Sequence, residues 1–484
     1  MKSKLQTLMT LGLLAGGLAL QSCEKIELLP PPPPSYGQNA TGRASLSRLL
    51  FFQNNSSELF NADQSGLNIT SDDIGAWVED NDFARYDPNS GNLLELETKL
   101  PLWAGNEPVL PELPDGSGPV NILQPVPVGM DQTNFPGAFN QVAQSEWHIG
   151  SNWWVLDAQD IDYGWRGEDN TPNLVNVTSN ITTNTTWTAD KKYFLTRQIF
   201  VKEGATLTIE PGTVIFGRDA VGVDAGVLVV NRGARIVAQG TPDQPIVFTS
   251  TKPRGARARG DWGGLVLCGR AANNKANNVL IEGIGSAEAN DEDGFYGPGD
   301  GYAADAADFN DESSGVLSFI RLEYAGIAVS PGNEVNSLTM GSIGAGTQVD
   351  HIIVTNAGDD GIECFGGTVD IRYIATVDIL DDDLDLDAGY TGTIQYAYLV
   401  RNPFAADEST STSFETSSAK NDGQNPVTRA VAANTTIVGP VYQLEGTDLA
   451  ANRLYDGGLL GKDLSEVRLI NSIIIGAPIG FQNP

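Results

Sequence analysis

The chain has 484 residues, room for more than one folded unit or for a single long β-solenoid. Lysine and arginine number 29 against 61 aspartates and glutamates, a net charge of −32 at pH 7. That charge argues against nucleic acid or an anionic membrane surface as the main partner, and is compatible with metal ions, neutral glycans and cationic ligands.

Lys2 and Lys4 precede an apolar run from Leu8 to Leu20 that is too short to span a bilayer comfortably, the form of a signal peptide over residues 1–22. The run ends in Leu20-Gln21-Ser22-Cys23, which resembles a bacterial lipobox with Cys23 as the lipidated residue; plain secretion is the alternative. Acyl chains such as palmitate on Cys23 would anchor the chain, each buried methylene adding about 0.8 kcal/mol. Glu24, Lys25 and Glu27 follow, similar to the surface-export signals of Bacteroidota lipoproteins. Pro30 to Pro34 form a stiff extended spacer of about 3.1 Å per residue, so residues 23–38 read as a tether.

Residues 39–165 differ in composition. Trp77, Trp103, Trp147, Trp153, Trp154 and Trp165 fall here, and Pro108, Pro111, Pro114 and Pro119 break any long element. The apolar positions Leu46, Leu49, Leu50, Phe51 and Phe60 predict a short amphipathic helix over Leu46 to Phe60. The segment is expected to be a partly helical, tryptophan-rich cap over an end of the following solenoid, where an open strand edge would recruit other strands. Exposed tryptophans stacking on sugar rings are the alternative.

Residues 166–484 read as a parallel β-helix. From Asn173 onward the chain is strand after strand: Phe194-Leu195, Gln198 to Val201, Thr206 to Ile209, Thr213 to Phe216, Gly226 to Val230, Arg235 to Ala238, Ile246 to Thr249 and Gly264 to Leu267. Glu203-Gly204, Pro211-Gly212, Asn231-Arg232-Gly233 and Thr241-Pro242 punctuate them, with glycine supplying positive φ and proline pre-setting the turn. No helical-length apolar period intervenes, so crossover helices are excluded and a solenoid is favoured. Gly285 to Ser314 is an acidic, glycine-rich excursion, read as a surface loop or a second cation site. Coils resume at Ser318 to Gly326, Asp350 to Gly358, Asp370 to Asp378, Ile394 to Asn402, Ala430 to Gly439 and Val467 to Gly476. Ala405 to Asn425, polar and rich in Ser and Thr, predicts a long loop.

The candidate site lies between Gly358 and Tyr390. Shifting Leu380-Asp381-Asp382-Asp383-Leu384-Asp385 by about 22 residues, close to one coil, lays it on Gly358-Asp359-Asp360-Gly361-Ile362-Glu363. Leu384 then falls on Ile362, Asp385 on Glu363, and Asp381 and Asp382 on Asp359 and Asp360. Equivalent residues of successive coils sit roughly 4.8 Å apart. Two carboxylates about 5 Å apart repel by roughly 0.8 kcal/mol in water and several times more near a protein surface. The only base between 358 and 390 is Arg372. Asp359, Asp360, Glu363, Asp381, Asp382, Asp383 and Asp385 are therefore candidate ligands for a hard, oxygen-liganded cation, foremost Ca²⁺. A solvated acidic edge and a set of catalytic carboxylates stay open as alternatives. Arg372 and Arg401 are candidate ligand-binding residues, the base of a Ca²⁺-dependent lyase, or neutralising partners for acids on their own coils. His351 sits in a strand beside apolar residues and reads as structural. Cys268 and Cys364, in apolar strand contexts, read as two buried free thiols.

Ala205-Thr206-Leu207-Thr208-Ile209-Glu210-Pro211-Gly212-Thr213-Val214-Ile215, Gly260-Asp261-Trp262-Gly263-Gly264-Leu265-Val266-Leu267-Cys268-Gly269 and Gly358 to Val369 resemble a family of right-handed parallel β-helix proteins exported by Bacteroidota. Many of these are lipoproteins found alongside TonB-dependent outer-membrane receptors. The resemblance covers roughly residues 140 to 484 and implies the β-helix fold and an outer-membrane, lipid-anchored location at the cell surface. An aromatic is common there at the position of Cys364, which makes it a packing site. Three functional classes follow: a surface protein that binds a glycan, peptide or cation as an accessory to a TonB-dependent uptake system; a Ca²⁺-dependent polysaccharide lyase or glycoside hydrolase, by fold analogy; or a structural or adhesive surface protein. The Asp359-Asp360 pair resembles the paired aspartates of polygalacturonases, but the chain lacks the Gly-His-Gly and Arg-Ile-Lys motifs of those enzymes.

Overall fold

A computed structural model describes residues 43–52, 60–61, 84–86, 126–133, 137–139, 147, 152–284, 292–330, 333–418, 424–440 and 451–482. All of these belong to one compact unit, Tyr36–Pro484. Cys23, the proline spacer, Trp77 and Trp103 lie outside the described residues.

The described residues form a parallel β-helix. Strands of successive coils stack in register into a 15-stranded and a 10-stranded sheet, and every pairing within these two sheets is parallel. The predicted strands Gln198–Val201 and Thr206–Ile209 are observed with the same bounds, and the others shift by a residue or two. Stacking is what makes these short strands stable, because a lone coil cannot bury its apolar side chains. Their inward residues, among them Leu207, Ile236, Leu267, Ile352, Ile374, Leu399 and Ile437, form one continuous interior column.

Strands of the larger sheet bend at a left-handed residue once per coil: Phe319, His351, Tyr373, Tyr396, Asn434 and Asn471 all have positive φ. Aromatic residues seldom adopt that conformation. Here the rings stack along the rod, Phe319 on His351 at 4.2 Å, His351 on Tyr373 at 4.6 Å and Tyr373 on Tyr396 at 4.7 Å between centroids. Ring stacking of this kind contributes about 0.5–1.5 kcal/mol per pair and offsets the backbone cost. The series ends in asparagines, which tolerate positive φ through local hydrogen bonding. His351 is thus a rung of a ladder, consistent with its structural reading.

Two expectations for the amino-terminal region change in detail, although its strand does cover the open edge of the last coil. Arg43–Phe52 is a strand rather than part of a helix, and it pairs in parallel with Glu466–Ile475 as a further rung beyond the last coil. An open edge of unpaired backbone groups favours strand addition, and this outweighs the helical spacing of Leu46, Leu49 and Leu50. Trp147, Trp153 and Trp154, moreover, do not lie over that end. Trp147, Trp153 and Trp154 pack with Phe139 on the outer face of the larger sheet, against Ile353, Ala375, Tyr398, Val438, Ile473 and Ile475. Trp153 meets the aromatic ladder edge-on at Phe319 and His351, with centroids 5.5 and 5.4 Å away. Burying that lateral face wins because it carries a stripe of apolar and aromatic side chains several coils long.

Cys364 points into the interior column, whereas Cys268 belongs to an apolar cluster on the outside of the same sheet, with Ile281, Tyr296 and Val335. They therefore lie on opposite faces, and both are buried free thiols. In the acidic excursion, described residues bind back to the coils through Lys202–Asp293, Arg232–Glu292 and Arg270–Glu312 pairs. None of its described carboxylates joins a group of three.

Candidate metal centre

The smaller sheet stacks Ile362–Gly367, Leu384–Asp387, Phe414–Thr416 and Leu459–Gly461 as consecutive rungs. Register places Ile362 on Leu384 on Phe414 in the interior, and Glu363 on Asp385 on Glu415 outside. The turn before each strand stacks as well. The Gly361 amide donates to the Asp382 carbonyl at 2.9 Å, and the Ile362 amide to the Asp383 carbonyl at 3.2 Å. These bonds carry Asp359 and Asp360 alongside Asp381 and Asp382. The acidic residues of three coils thus become a row, as alternation of side chains along a strand requires.

Carboxylate oxygens in this row lie within 4.8 Å of one another in three groups: Asp359, Asp360 and Asp381; Asp360, Glu363 and Asp385; and Asp382, Asp385 and Glu415. Asp360 belongs to the first two groups and Asp385 to the last two. Asp360, Glu363 and Asp382 are only 7 %, 6 % and 5 % exposed. Backbone and side-chain donors hold some of these oxygens in place. The Asp382 amide donates to Asp360 Oδ1 at 2.8 Å, the Thr412 hydroxyl and amide to Asp382 Oδ1, and Asn336 Nδ2 to Glu363 Oε2. Asp381 Oδ1, Asp385 Oδ1 and Asp387 Oδ1 are buried with no hydrogen-bond donor.

Burial without enough positive charge raises the affinity of these groups for protons. Asp359 is pushed up to about 8, by burial first and then by the charge of Asp381. Asp381 rises to about 7, again by burial, then by Asp407 and Glu415. Asp360, Glu363, Asp382 and Asp385 are all raised well above the ordinary carboxylate range, by burial first and then by neighbouring carboxylates, Asp359 for Asp360, Asp385 for Glu363 and Glu415 for Asp382 and Asp385. Among the described bases, Lys462 pairs with Glu415, and Lys275 Nζ lies 3.3 Å from Asp387 Oδ2. Two lysines do not balance such a row. An all-oxygen donor set with orphaned buried oxygens and excess negative charge fits a hard divalent cation of the calcium type.

Of the seven predicted ligands, Asp359, Asp360, Glu363, Asp381, Asp382 and Asp385 come together. Asp383 does not. Its carboxylate is fully buried with Oδ2 3.5 Å from Nη1 of the equally buried Arg401, so it serves an internal ion pair. Arg401 is accordingly corrected from a ligand-binding residue to an internal brace, the neutralising-partner reading of its coil. Its guanidinium donates to the Asp381, Leu380 and Thr412 carbonyls and lies over the Tyr455 ring, 5.1 Å from the centroid. Arg372 is also displaced from the row. It stands on the other sheet, where it donates to the Gly129 carbonyl at 2.6 Å and to Gln395 Oε1 at 3.3 Å.

Glu415 and Lys462 were missed. Ser413-Phe414-Glu415-Thr416 repeats the apolar-acid pair of Ile362-Glu363 and Leu384-Asp385, but an insertion lengthens its coil and hides it inside the predicted loop. That stretch is therefore a rung and not simply a loop.

The register and the row define a parallel β-helix protein with a polyanionic strip along one sheet. The chain belongs to the family described as pectate-lyase-like β-helix domain, whose profile matches residues 179–469. No curated protein and no solved structure matches it.

Proposed function

We propose that this chain is a lipid-anchored protein of the outer-membrane surface, held through Cys23, whose acidic row binds Ca²⁺ and through it a glycan or peptide ligand. In this reading it acts as an accessory to a TonB-dependent uptake system of a Bacteroidota cell. The observation that carries the calcium site is the row itself: three carboxylate groups with oxygens within 4.8 Å of one another, buried oxygens lacking donors, and too few cations. The family supports a polysaccharide-related ligand, and the anchor rests on Leu20-Gln21-Ser22-Cys23. A Ca²⁺-dependent lyase is the second reading, supported by the family description. It is the weaker one because Arg401 is committed to Asp383, and Arg372 is bound on the other sheet. Neither arginine is left beside the acids to take a proton from a bound sugar.

The test is thermal melting of the chelated protein during calcium titration. A ligand that binds the native state alone raises stability by about 2.7 kcal/mol at one hundred times its Kd. Calcium should raise the melting temperature of the wild type, and Asp360→Asn and Asp382→Asn should blunt the rise while remaining folded in chelator. A melt that does not move at millimolar calcium sinks the metal site. Turnover of an acidic polysaccharide by the wild type, lost in both variants, would decide for the lyase.

A further inference from the structure

The third carboxylate group differs from the other two in already holding a cation from the chain itself. Lys462 lies one rung beyond Glu415, in the turn after Leu459–Gly461, and its ammonium pairs with Glu415 Oε1. The Lys462 amide donates to the Thr416 carbonyl at 2.8 Å, which ties the base of the side chain to the rung that carries Glu415. Asp385 and Asp382 are the other two members of that group, with carboxylate oxygens within 4.8 Å of those of Glu415. At the opposite end of the row, Asp359, Asp360 and Asp381 have no lysine or arginine ion-paired to them among the described residues, and Asp381 retains a buried oxygen without a donor.

We propose that Lys462 is the resident counter-cation of the third group, so that the row admits divalent cations at the first two groups and excludes one from the third. This rests on the calcium-binding reading above and adds to it which residue sets the number of ions. The first two groups share Asp360, whose carboxylate belongs to both. A further divalent ion held jointly by Asp382, Asp385 and Glu415 would meet the ammonium that Glu415 already holds. Two positive charges a few ångströms apart cost more in a buried setting than in water. Removing the lysine side-chain charge opens the third group and leaves its three carboxylates in need of a new partner.

Isothermal titration of the chelated full-length chain with calcium chloride reads the outcome. Lys462→Met should bind about one more equivalent of calcium than the wild type, whereas Lys462→Arg, which keeps a cation in place, should keep the wild-type count. Lys462→Gln, able to hydrogen-bond Glu415, is the second neutral variant should the methionine variant not fold in chelator, and it too should gain about one equivalent. Saturable calcium binding with the same count in the wild type and both neutral variants overturns the role of Lys462 and leaves the calcium site standing. Absence of binding in all of them overturns both.

Discussion

At the residue scale, the fate of a charged side chain in this fold depends on which side of a strand it occupies. Asp382 and Asp383 are neighbours in sequence, yet one faces the acidic row and the other pairs with Arg401 under full burial. Removing one partner of a buried ion pair typically costs about 3–5 kcal/mol, because the other charge is left without compensation. Arg401→Met should therefore lower stability by that order in denaturant unfolding, and adding Asp383→Asn should recover part of the loss. If the single variant is as stable as the wild type, Arg401 is not the brace described. Asp385 and Glu363 were legible from sequence because a shift of one coil overlays them. Glu415 was not, since the inserted residues before it shift the repeat.

At the element scale, Trp147, Trp153 and Trp154 form a lateral belt. Trp153 is fully buried, its Nε1 donates to the Trp147 carbonyl at 3.2 Å, and its ring abuts two members of the aromatic ladder. Large-to-small substitution at such a site costs about 3–5 kcal/mol. Trp153→Ala should show that loss, together with increased proteolytic cleavage in the belt while the coils themselves stay protected; equal protease resistance would argue that the belt is not held by this contact. The belt persists into a network of buried charge. Arg321 and Glu323 pair on the outer face of the sheet, and the Tyr163 hydroxyl donates to Glu323 Oε1 at 2.8 Å. Composition marked this region as distinct from the coils. Its helix was misread because the apolar spacing of Leu46 to Phe51 suits a helix as well as a bent strand, and only the free edge of Glu466–Ile475 decides between them.

At the scale of the whole molecule, a chain of net charge −32 gathers buried, poorly compensated carboxylates into one strip among the described residues. The proton affinities of Asp359 and Asp381 are higher in the fold than in an unfolded chain, where they titrate at 3.8. Their contribution to stability is therefore fully present below about pH 4 and is lost as pH rises through about 7 to 8. In chelator, the melting temperature should fall between pH 5 and pH 8, and millimolar calcium should shrink that fall by supplying the missing positive charge. Calcium binding near pH 7 should also release protons, measurable as a buffer-dependent heat. A chelated protein equally stable at both pH values would mean that the strip is neutralised in some other way.

Sequence alone determined the β-helix, most strand positions, the inward placement of Ile362 and Leu384, and the overlay of two acidic turns, since each follows from alternation along a strand and a repeat near one coil in length. Tertiary structure decided what local pattern does not encode. It set which strands meet at the rod's last edge, which face Trp147, Trp153 and Trp154 cover, and that Arg401 turns inward to Asp383. It also brought Glu415 and Lys462 into the row across an irregular coil. Stacking between coils is a contact between residues distant along the chain, and insertions change that distance without changing the register of the sheet.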